Sequence, residues 1–449
     1  MLPVIAIVGR PNVGKSTLFN VLTRSRAALV ADVPGLTRDR QYGYGQLGSL
    51  STDDDEHGVS VAGRYVVIDT GGLSGEAVEV DRRLAEQTLL AIEEADHIIF
   101  MVDAKHGLVP QDHVITEQLR RHGKPITVAV NKSEGRAASD VAAEFFELGL
   151  GDPVPIAAKS KDRVKGMINK VLATHADQIV VDEIEPGVDS GIKIAAVGRP
   201  NVGKSTLINR WLGEERVVAL DHPGTTRDSI YIPFEHHNRH YTLIDTAGVR
   251  RRARVDEGIE KFSVVKTLQA IDDANVVVLM LDASEGVTDQ DASLAGLIVD
   301  KGRALVIAIN KWDGLSTEQR DHVRRGMDLK LRFLDFAPKY FISALHGTAV
   351  GDVLDAVRLV YASAIKDLPT AAINEVLKQA LEEHSPRRIR GRRPKLRYAH
   401  QGGKNPPRII IHGSFTDRVR PTFKRYLVNR FRKRFDLVGT PISVEFRHE

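Results

Sequence analysis

The chain contains no cysteine. Its absence excludes a disulfide framework, thiol catalysis and cysteine-ligated zinc, and it fits a reducing compartment, so a cytoplasmic location is expected. Long apolar runs are missing too. None approaches the ~18 to 20 residues of a spanning helix, and no membrane partner is expected. The apolar opening Met1 to Val8 has no basic segment before it and runs into a glycine-containing loop, so it reads as a strand rather than a leader. Acid is scarce in one region only. From Lys366 to Glu449 there are 20 Lys+Arg against 8 Asp+Glu, whereas the preceding residues hold 43 against 51, although the whole chain nets only +4. A basic module on a mildly acidic body points to a polyanionic partner, nucleic acid above all.

The 449 residues leave room for about three domains of ~150 each. One stretch occurs twice. Gly9-Arg10-Pro11-Asn12-Val13-Gly14-Lys15-Ser16-Thr17-Leu18 returns unchanged as Gly198-Arg199-Pro200-Asn201-Val202-Gly203-Lys204-Ser205-Thr206-Leu207. Each copy follows an apolar run and precedes a helical pattern, the context in which G-x-x-x-x-G-K-[ST] is a phosphate-binding loop. The glycines let backbone N–H groups and the helix start face phosphates. Lys15 and Lys204 add point charges, and Ser16 and Ser205 offer hydroxyls to Mg²⁺.

After the first loop, apolar runs at Tyr65 to Ile68, His97 to Val102 and Ile126 to Val130 alternate with helical patterns near Val80 to Glu94 and Gln111 to His122. This is the signature of a doubly wound, mainly parallel sheet, which binds ligands at the carboxyl ends of its strands. The special residues fall there. Asp69-Thr70-Gly71-Gly72 ends one strand, with Asp69 expected near Mg²⁺ through water and Gly72 free to approach a γ-phosphate. Thr37, in the loop Pro34 to Asp39, is a second hydroxyl for the metal. Asp53-Asp54-Asp55-Glu56 reads as a solvated hairpin loop in preference to a metal site.

With Asn131-Lys132-Ser133-Glu134 and Ala157-Ala158-Lys159 the ordered set resembles the five motifs of the translation-factor class of GTPases. The resemblance implies guanine selection by the acid of Asn-Lys-x-Asp and by the Ala158 N–H. Here the acid is Glu134, one methylene longer, and weaker guanine binding in this copy is expected. The second copy is orthodox: Pro223-Gly224-Thr225-Thr226, Asp245-Thr246-Ala247-Gly248, Asn310-Lys311-Trp312-Asp313 and Ser343-Ala344. Motif order is kept while the offsets drift. Lys15/Lys204 and Thr37/Thr226 are 189 residues apart, Asp69/Asp245 176, Asn131/Asn310 179 and Ala157/Ser343 186. Two complete domains with variable loops give this pattern. The expected boundaries are 1–175 and 191–365 for the two GTPase domains, 176–190 for a polar, acidic tether, and 366–449 for the tail.

Many GTPases orient the attacking water with a glutamine just after Asp-x-x-Gly. Leu73 and Val249 hold those places, so slow intrinsic hydrolysis is expected, with help from elsewhere, an activating protein included. Asn12 and Asn201 resemble the asparagine with which potassium-dependent members hold K⁺ beside the phosphates. Val249-Arg250-Arg251-Arg252-Ala253-Arg254 follows Gly248, readable as a solvated loop or an RNA contact. His236, His237 and His240 near Glu235 read as a hairpin tip in preference to a metal site.

The tail patterns as α-β-β-α-β, a small α+β module. Its basic residues crowd Arg387 to Arg397 and Lys424 to Arg434, and Tyr398 and Tyr426 are available for stacking. Two tandem GTPase domains followed by this tail resemble the EngA/Der GTPases over essentially the whole chain. That resemblance implies a KH-like tail, two GTP/GDP sites with Mg²⁺ and K⁺ dependence, a monomer, and action on the large ribosomal subunit and its rRNA. No Gly-x-x-Gly occurs in the tail, so ordinary KH single-strand binding is not implied. Two rival readings are an RNA-binding scaffold that turns over little GTP and a membrane-remodelling GTPase, the latter disfavoured by the lack of lipid-directed signals.

Overall fold

In the computed structural model the described residues are 2–23, 41–46, 64–70, 88–135, 137–175, 191–213, 231–244, 264–386 and 394–448. Contacts divide the chain into two units, Met1–Pro186 and Gly187–Glu449. The division falls within the expected tether 176–190. That tether lies outside the described residues, as do Asp53 to Glu56, Arg250 to Arg254 and Arg387 to Arg393.

The first unit is built on six strands: β1 Val4–Gly9, β2 Gln41–Gln46, β3 Arg64–Asp69, β4 His97–Asp103, β5 Ile126–Asn131 and β6 Val154–Pro155. Their order in the sheet is β2-β3-β1-β4-β5-β6, parallel except for the β2/β3 pair. β1 and β4 are buried along their whole length, because helices cover both faces of a parallel sheet and leave no position for polar alternation. One face packs Ile5, Ile7 and Ile99 against Leu18 of the helix Lys15–Leu22 and Ile168 of the helix Val164–Ala173. The other packs Phe100 and Val102 against Ile115 and Leu119 of the helix Pro110–Arg120. The helix expected near Val80 to Glu94 is described only at 88–94.

The edge strand β2 has no counterpart in the sequence reading. Glycine is depleted in strands, and β2 reads Gln-Tyr-Gly-Tyr-Gly-Gln. The glycine is needed here: a Cβ on Gly45 would collide with the Tyr65 ring, which crosses the edge at that point.

The second unit repeats the topology with β7 Ile192–Val197, β8 Tyr231–His236, β9 Arg239–Ile244, β10 Val276–Asp282, β11 Ala304–Asn310 and β12 Lys339–Phe341, ordered β8-β9-β7-β10-β11-β12. Only β8/β9 is antiparallel. Its two-residue turn is His237-Asn238, both at positive φ (49° and 56°), as the twist of a tight hairpin demands. The histidines sit at this tip, where the His236 and His237 rings stack 4.0 Å apart.

The tail carries β13 Lys395–Gly403, β14 Arg408–Ser414 and β15 Ser443–His448, with β13/β14 antiparallel and β14/β15 parallel. Two helices, Thr370–Glu383 and Pro421–Phe435, cover one face. Ile373, Val376, Leu377 and Ala380 keep the 3–4 residue spacing of one helical stripe and meet Ile409, Ile411, Leu427 and Phe431. This is the expected α-β-β-α-β order. The tail is fastened within the second unit at Gly439. The Leu305 N–H, near the start of β11, donates to the Gly439 carbonyl (2.7 Å), and the Gly439 N–H donates to Phe336 O (2.8 Å). Gly439 has φ +64° and lies against Val360, so only glycine fits.

A buried histidine pair lies low in the first sheet. His97 Nδ1 is 3.2 Å from His175 Nε2, and His97 Nε2 is 2.9 Å from Thr127 Oγ1. Burial, with a smaller contribution from His175, lowers the His97 pKa to about 4. The unfolded chain therefore binds a proton below pH ~6.5 that the folded chain refuses until pH ~4, and stability falls as pH drops through that window. We expect this one group to remove about 1 kcal/mol between pH 7 and 5.5. Urea unfolding of the parent and of His97→Asn at both pH values checks it: the parent should lose that much more than the variant.

Candidate functional site

In both units a phosphate-loop sequence joins a buried strand to a helix. Gly14 (φ 104°) and Gly203 (φ 100°) close the loops in the left-handed region just before Lys15 and Lys204. Steric contact reinforces the need for glycine. A Cβ at Gly14 would strike the Asn131 side-chain amide, and one at Gly203 would strike that of Asn310. Asn12 and Asn201 also adopt positive φ (65° and 60°), which asparagine tolerates better than most residues.

The asparagine pressed against that glycine ties three loops together. Asn131 Nδ2 donates to Val13 O (2.8 Å), and its Oδ1 accepts the Ala158 N–H (2.9 Å). Asn310 repeats both bonds, to Val202 O (2.8 Å) and from the Ala344 N–H (2.9 Å). All four are buried. Ala158 and Ala344 thus already donate to an asparagine, so a base contact by either N–H would be a shared one.

Lysines brace the loops. Lys15 Nζ donates to Gly9 O (3.0 Å) and Arg10 O (2.7 Å), and Lys204 Nζ to Gly198 O (3.1 Å) and Arg199 O (2.8 Å). Burial lowers the Lys15 pKa to about 8 in spite of the nearby Asp69 charge. Lys132 Nζ bridges Asn12 O (2.9 Å) and Asp103 Oδ2 (2.6 Å). Burial alone would push the Asp103 carboxyl up. Hydrogen bonds from Lys132, the Lys105 N–H and His106, with the Lys132 charge, outweigh it and hold the group below the usual range. In the second unit Lys311 pairs with Asp282 in the same way.

Two pairs were not singled out in the sequence. Asp103/Asp282 anchor the lysines, and Asp112/Asp291 anchor the loop arginines. Arg10 Nε donates to the fully buried Asp112 Oδ1 (2.7 Å), Arg199 Nε to Asp291 Oδ1 (2.9 Å). The second oxygen of Asp291 accepts the Thr288 N–H (2.9 Å), while the Thr288 hydroxyl accepts the Asp291 N–H (3.3 Å), capping the helix Asp289–Asp300. Both pairs share the 179-residue offset of Asn131/Asn310, the signal by which the repeat could have exposed them.

At the carboxyl end of β3, Ser16 Oγ donates to Asp69 Oδ2 (2.7 Å). Asp69 Oδ1 is buried with no hydrogen-bond partner among the described residues. A hydroxyl and an orphaned carboxylate oxygen beside a phosphate loop fit a hydrated Mg²⁺. Thr70 instead faces inward, its hydroxyl donating to Ile7 O (2.7 Å). Pro11, Thr17, Pro200, Ser205 and Thr206 lie in or just after the two loops. Thr37, Gly71, Gly72, Thr226, Asp245, Thr246, Ala247 and Gly248 lie outside the described residues.

The positions expected to read the base differ between the copies. The Ser343 hydroxyl hydrogen-bonds Asp313 and, with the nearby His346, 3.1 Å from its Oδ2, holds that carboxyl below the usual range. Glu134 is exposed, and Ala157 in place of Ser343 has no hydroxyl to orient it. Trp312 packs against Phe341 (ring centroids 4.2 Å), with the guanidinium groups of Arg320 and Arg324 5.5 and 5.7 Å from its ring. Ser133, its counterpart, is buried and donates to Ile156 O (2.8 Å).

Comparison with known proteins accounts for most of the chain. The family described as "50S ribosome-binding GTPase" matches residues 4–132 and 193–311, and that described as "KH-domain-like of EngA bacterial GTPase enzymes, C-terminal" matches 368–447. The chain is 58% identical to the GTPase Der of Thioalkalivibrio sulfidiphilus, over its full length and 93% of that protein. It is 54% identical to the GTPase Der of Burkholderia mallei, over its full length and 98% of that protein. Among solved structures, Aquifex aeolicus Era bound to GDP·AlF4⁻ is 22% identical with a TM-score of 0.29, covering 57% of this chain and 92% of that one.

The contrast between Asp313 with Ser343 and Glu134 with Ala157 yields a prediction. Installing Glu134→Asp together with Ala157→Ser should tighten GDP binding at the first site about tenfold, and Ser343→Ala should loosen the second. Calorimetric titration of the full chain reads both sites. A double variant that binds GDP no better than the parent would show that the longer acid and the missing hydroxyl cost nothing.

Proposed function

Because the chain belongs to the EngA/Der family of tandem-domain GTPases, we propose that it is a GTP-hydrolysing switch whose two sites govern association with the large ribosomal subunit during its assembly. One observation carries this reading: in both copies the phosphate loop, the Asn-Lys motif and the loop at Ala158 or Ala344 converge on one buried asparagine.

In this reading Lys15 and Lys204 exchange loop carbonyls for phosphate oxygens. The polyphosphate supplies the counter-charge that burial denies Lys15, while loop N–H groups from Gly9 to Thr17 and from Gly198 to Thr206 surround it. Ser16, Thr37 and Asp69, and in the second unit Ser205, Thr226 and Asp245, would hold Mg²⁺, which neutralises charge on the β- and γ-phosphates. Gly72 and Gly248 give the γ-phosphate close backbone approach, and Asp313 with Ser343 reads guanine most strictly. The domains are 1–175, 191–365 and 366–449, acting as a cytoplasmic monomer, with the basic tail on rRNA.

Hydrolysis is slow without help, since Leu73 and Val249 have no group to orient water. Asn12 and Asn201 are exposed on left-handed turns beside the phosphate loops, and each offers an amide oxygen for K⁺. Turnover is expected to be faster in K⁺ than in Na⁺, and Asn201→Ala should abolish that difference at the second site; equal parent rates in the two salts would refute the K⁺ assignment.

The switch itself is tested by co-sedimentation with ribosomal subunits in GDP or a non-hydrolysable GTP analogue across a salt series. Large-subunit binding confined to the analogue and weakening steeply with salt is expected. Binding indifferent to nucleotide would favour an RNA-binding scaffold instead.

A further inference from the structure

The tail separates the two tyrosines that the sequence offered for stacking. Tyr398 lies on β13, whereas Tyr426 lines a cleft of about 500 Å³ between the end of the helix Thr370–Glu383 and the start of the helix Pro421–Phe435. Three rings meet there. The Tyr426 and His384 centroids are 5.0 Å apart at 59°, and those of Tyr426 and Phe423 5.8 Å apart at 42°. The rings are therefore splayed rather than stacked on one another.

Cations stand around the rings. Arg418 and Arg420 line the cleft, with Thr422 exposed at its edge. Arg418 lies 5.4 Å from the Phe415 ring and 3.8 Å from the Asp417 carboxylate. Among the described residues no acid lines the cleft. Glu383 accepts from the Tyr426 hydroxyl (3.2 Å) and from Arg430 (2.7 Å), so its charge is matched and it holds the tyrosine ring in place.

Splayed aromatic rings beside arginines, in a module with 20 basic residues against 8 acidic ones, match the chemistry of one unstacked nucleotide within a polyanionic strand. The base takes the ring faces and the flanking phosphates take the guanidinium groups. We infer that this cleft captures an unpaired nucleotide of single-stranded RNA, with Tyr426 and Phe423 as the stacking surface and Arg418 and Arg420 as the phosphate contacts. A duplex would not enter, because its bases are committed to pairing and stacking. The assignment rests on the reading of the tail as an RNA-binding module, and supplies that tail with a single-strand site in the absence of a Gly-x-x-Gly loop.

The test uses the full chain saturated with GDP, so that the guanine sites are filled, and fluorescence anisotropy of a labelled eight-nucleotide oligouridylate and of an RNA duplex of equal phosphate count. The single strand should bind at least tenfold tighter than the duplex. Tyr426→Ala should weaken it about 5- to 100-fold with little change for the duplex. Thr422→Glu, which puts a carboxylate at the mouth from an exposed position, should do the same without disturbing the core, and Tyr426→Phe should keep the parent's affinity. Parent-like strand binding by both Tyr426→Ala and Thr422→Glu would overturn the cleft while leaving the tail's RNA binding intact. A parent that binds neither RNA would overturn both. Displacement of the strand by free uridine monophosphate at comparable concentration would make the cleft a mononucleotide site and overturn the RNA assignment.

Discussion

The ligand face of each GTPase unit depends on two hydrogen bonds made by one buried asparagine. Asn131 and Asn310 each donate to the phosphate loop two strands away and accept from the loop that follows the neighbouring strand. The same side chains occupy the space that a Cβ on Gly14 or Gly203 would need. Loop, glycine and asparagine are therefore a single constraint. The glycine permits the left-handed turn, the asparagine fills the room the missing side chain leaves, and its amide satisfies backbone groups that would otherwise be buried unpaired.

Much of this was legible in the sequence because the repeat made it so. Two identical decapeptides, each after an apolar strand, marked the loops, and motif order survived the drift in offset. The parallel sheets were legible because β1, β4 and β10 are unbroken apolar runs. The edge strand β2 was not, since its glycines answer to the Tyr65 ring rather than to strand propensity. Nor were the buried aspartates Asp112 and Asp291. One acid among others in an ordinary amphipathic helix gives no sign that an arginine about a hundred residues earlier is its partner, although the 179-residue offset shows that the aspartate recurs.

In the second unit one strand runs from the tail contact to the ligand face. β11 carries Leu305, whose N–H is bonded to Gly439 of the tail, near its start, and Asn310 at its end. Five residues of extended strand, about 17 Å, separate these points. β11 is paired on both sides and buried throughout, so it cannot bend without breaking its ladders. The Arg432 guanidinium, 4.3 Å from the Phe336 ring, adds a second fastening beside Gly439. Burial pushes the Arg432 pKa down from its ordinary value, which marks this cation as packed against the ring more than solvated.

The differences between the copies bear on why the chain keeps two. Both units build the same phosphate cradle, down to the arginine–aspartate and lysine–aspartate pairs. The base end has diverged. One copy fixes Asp313 with a serine hydroxyl and packs the adjacent Trp312 against Phe341 and two arginines; the other has an exposed Glu134 and a small buried Ser133. The unit that includes the basic tail is the one whose candidate base-reading acid, Asp313, is held by a serine hydroxyl.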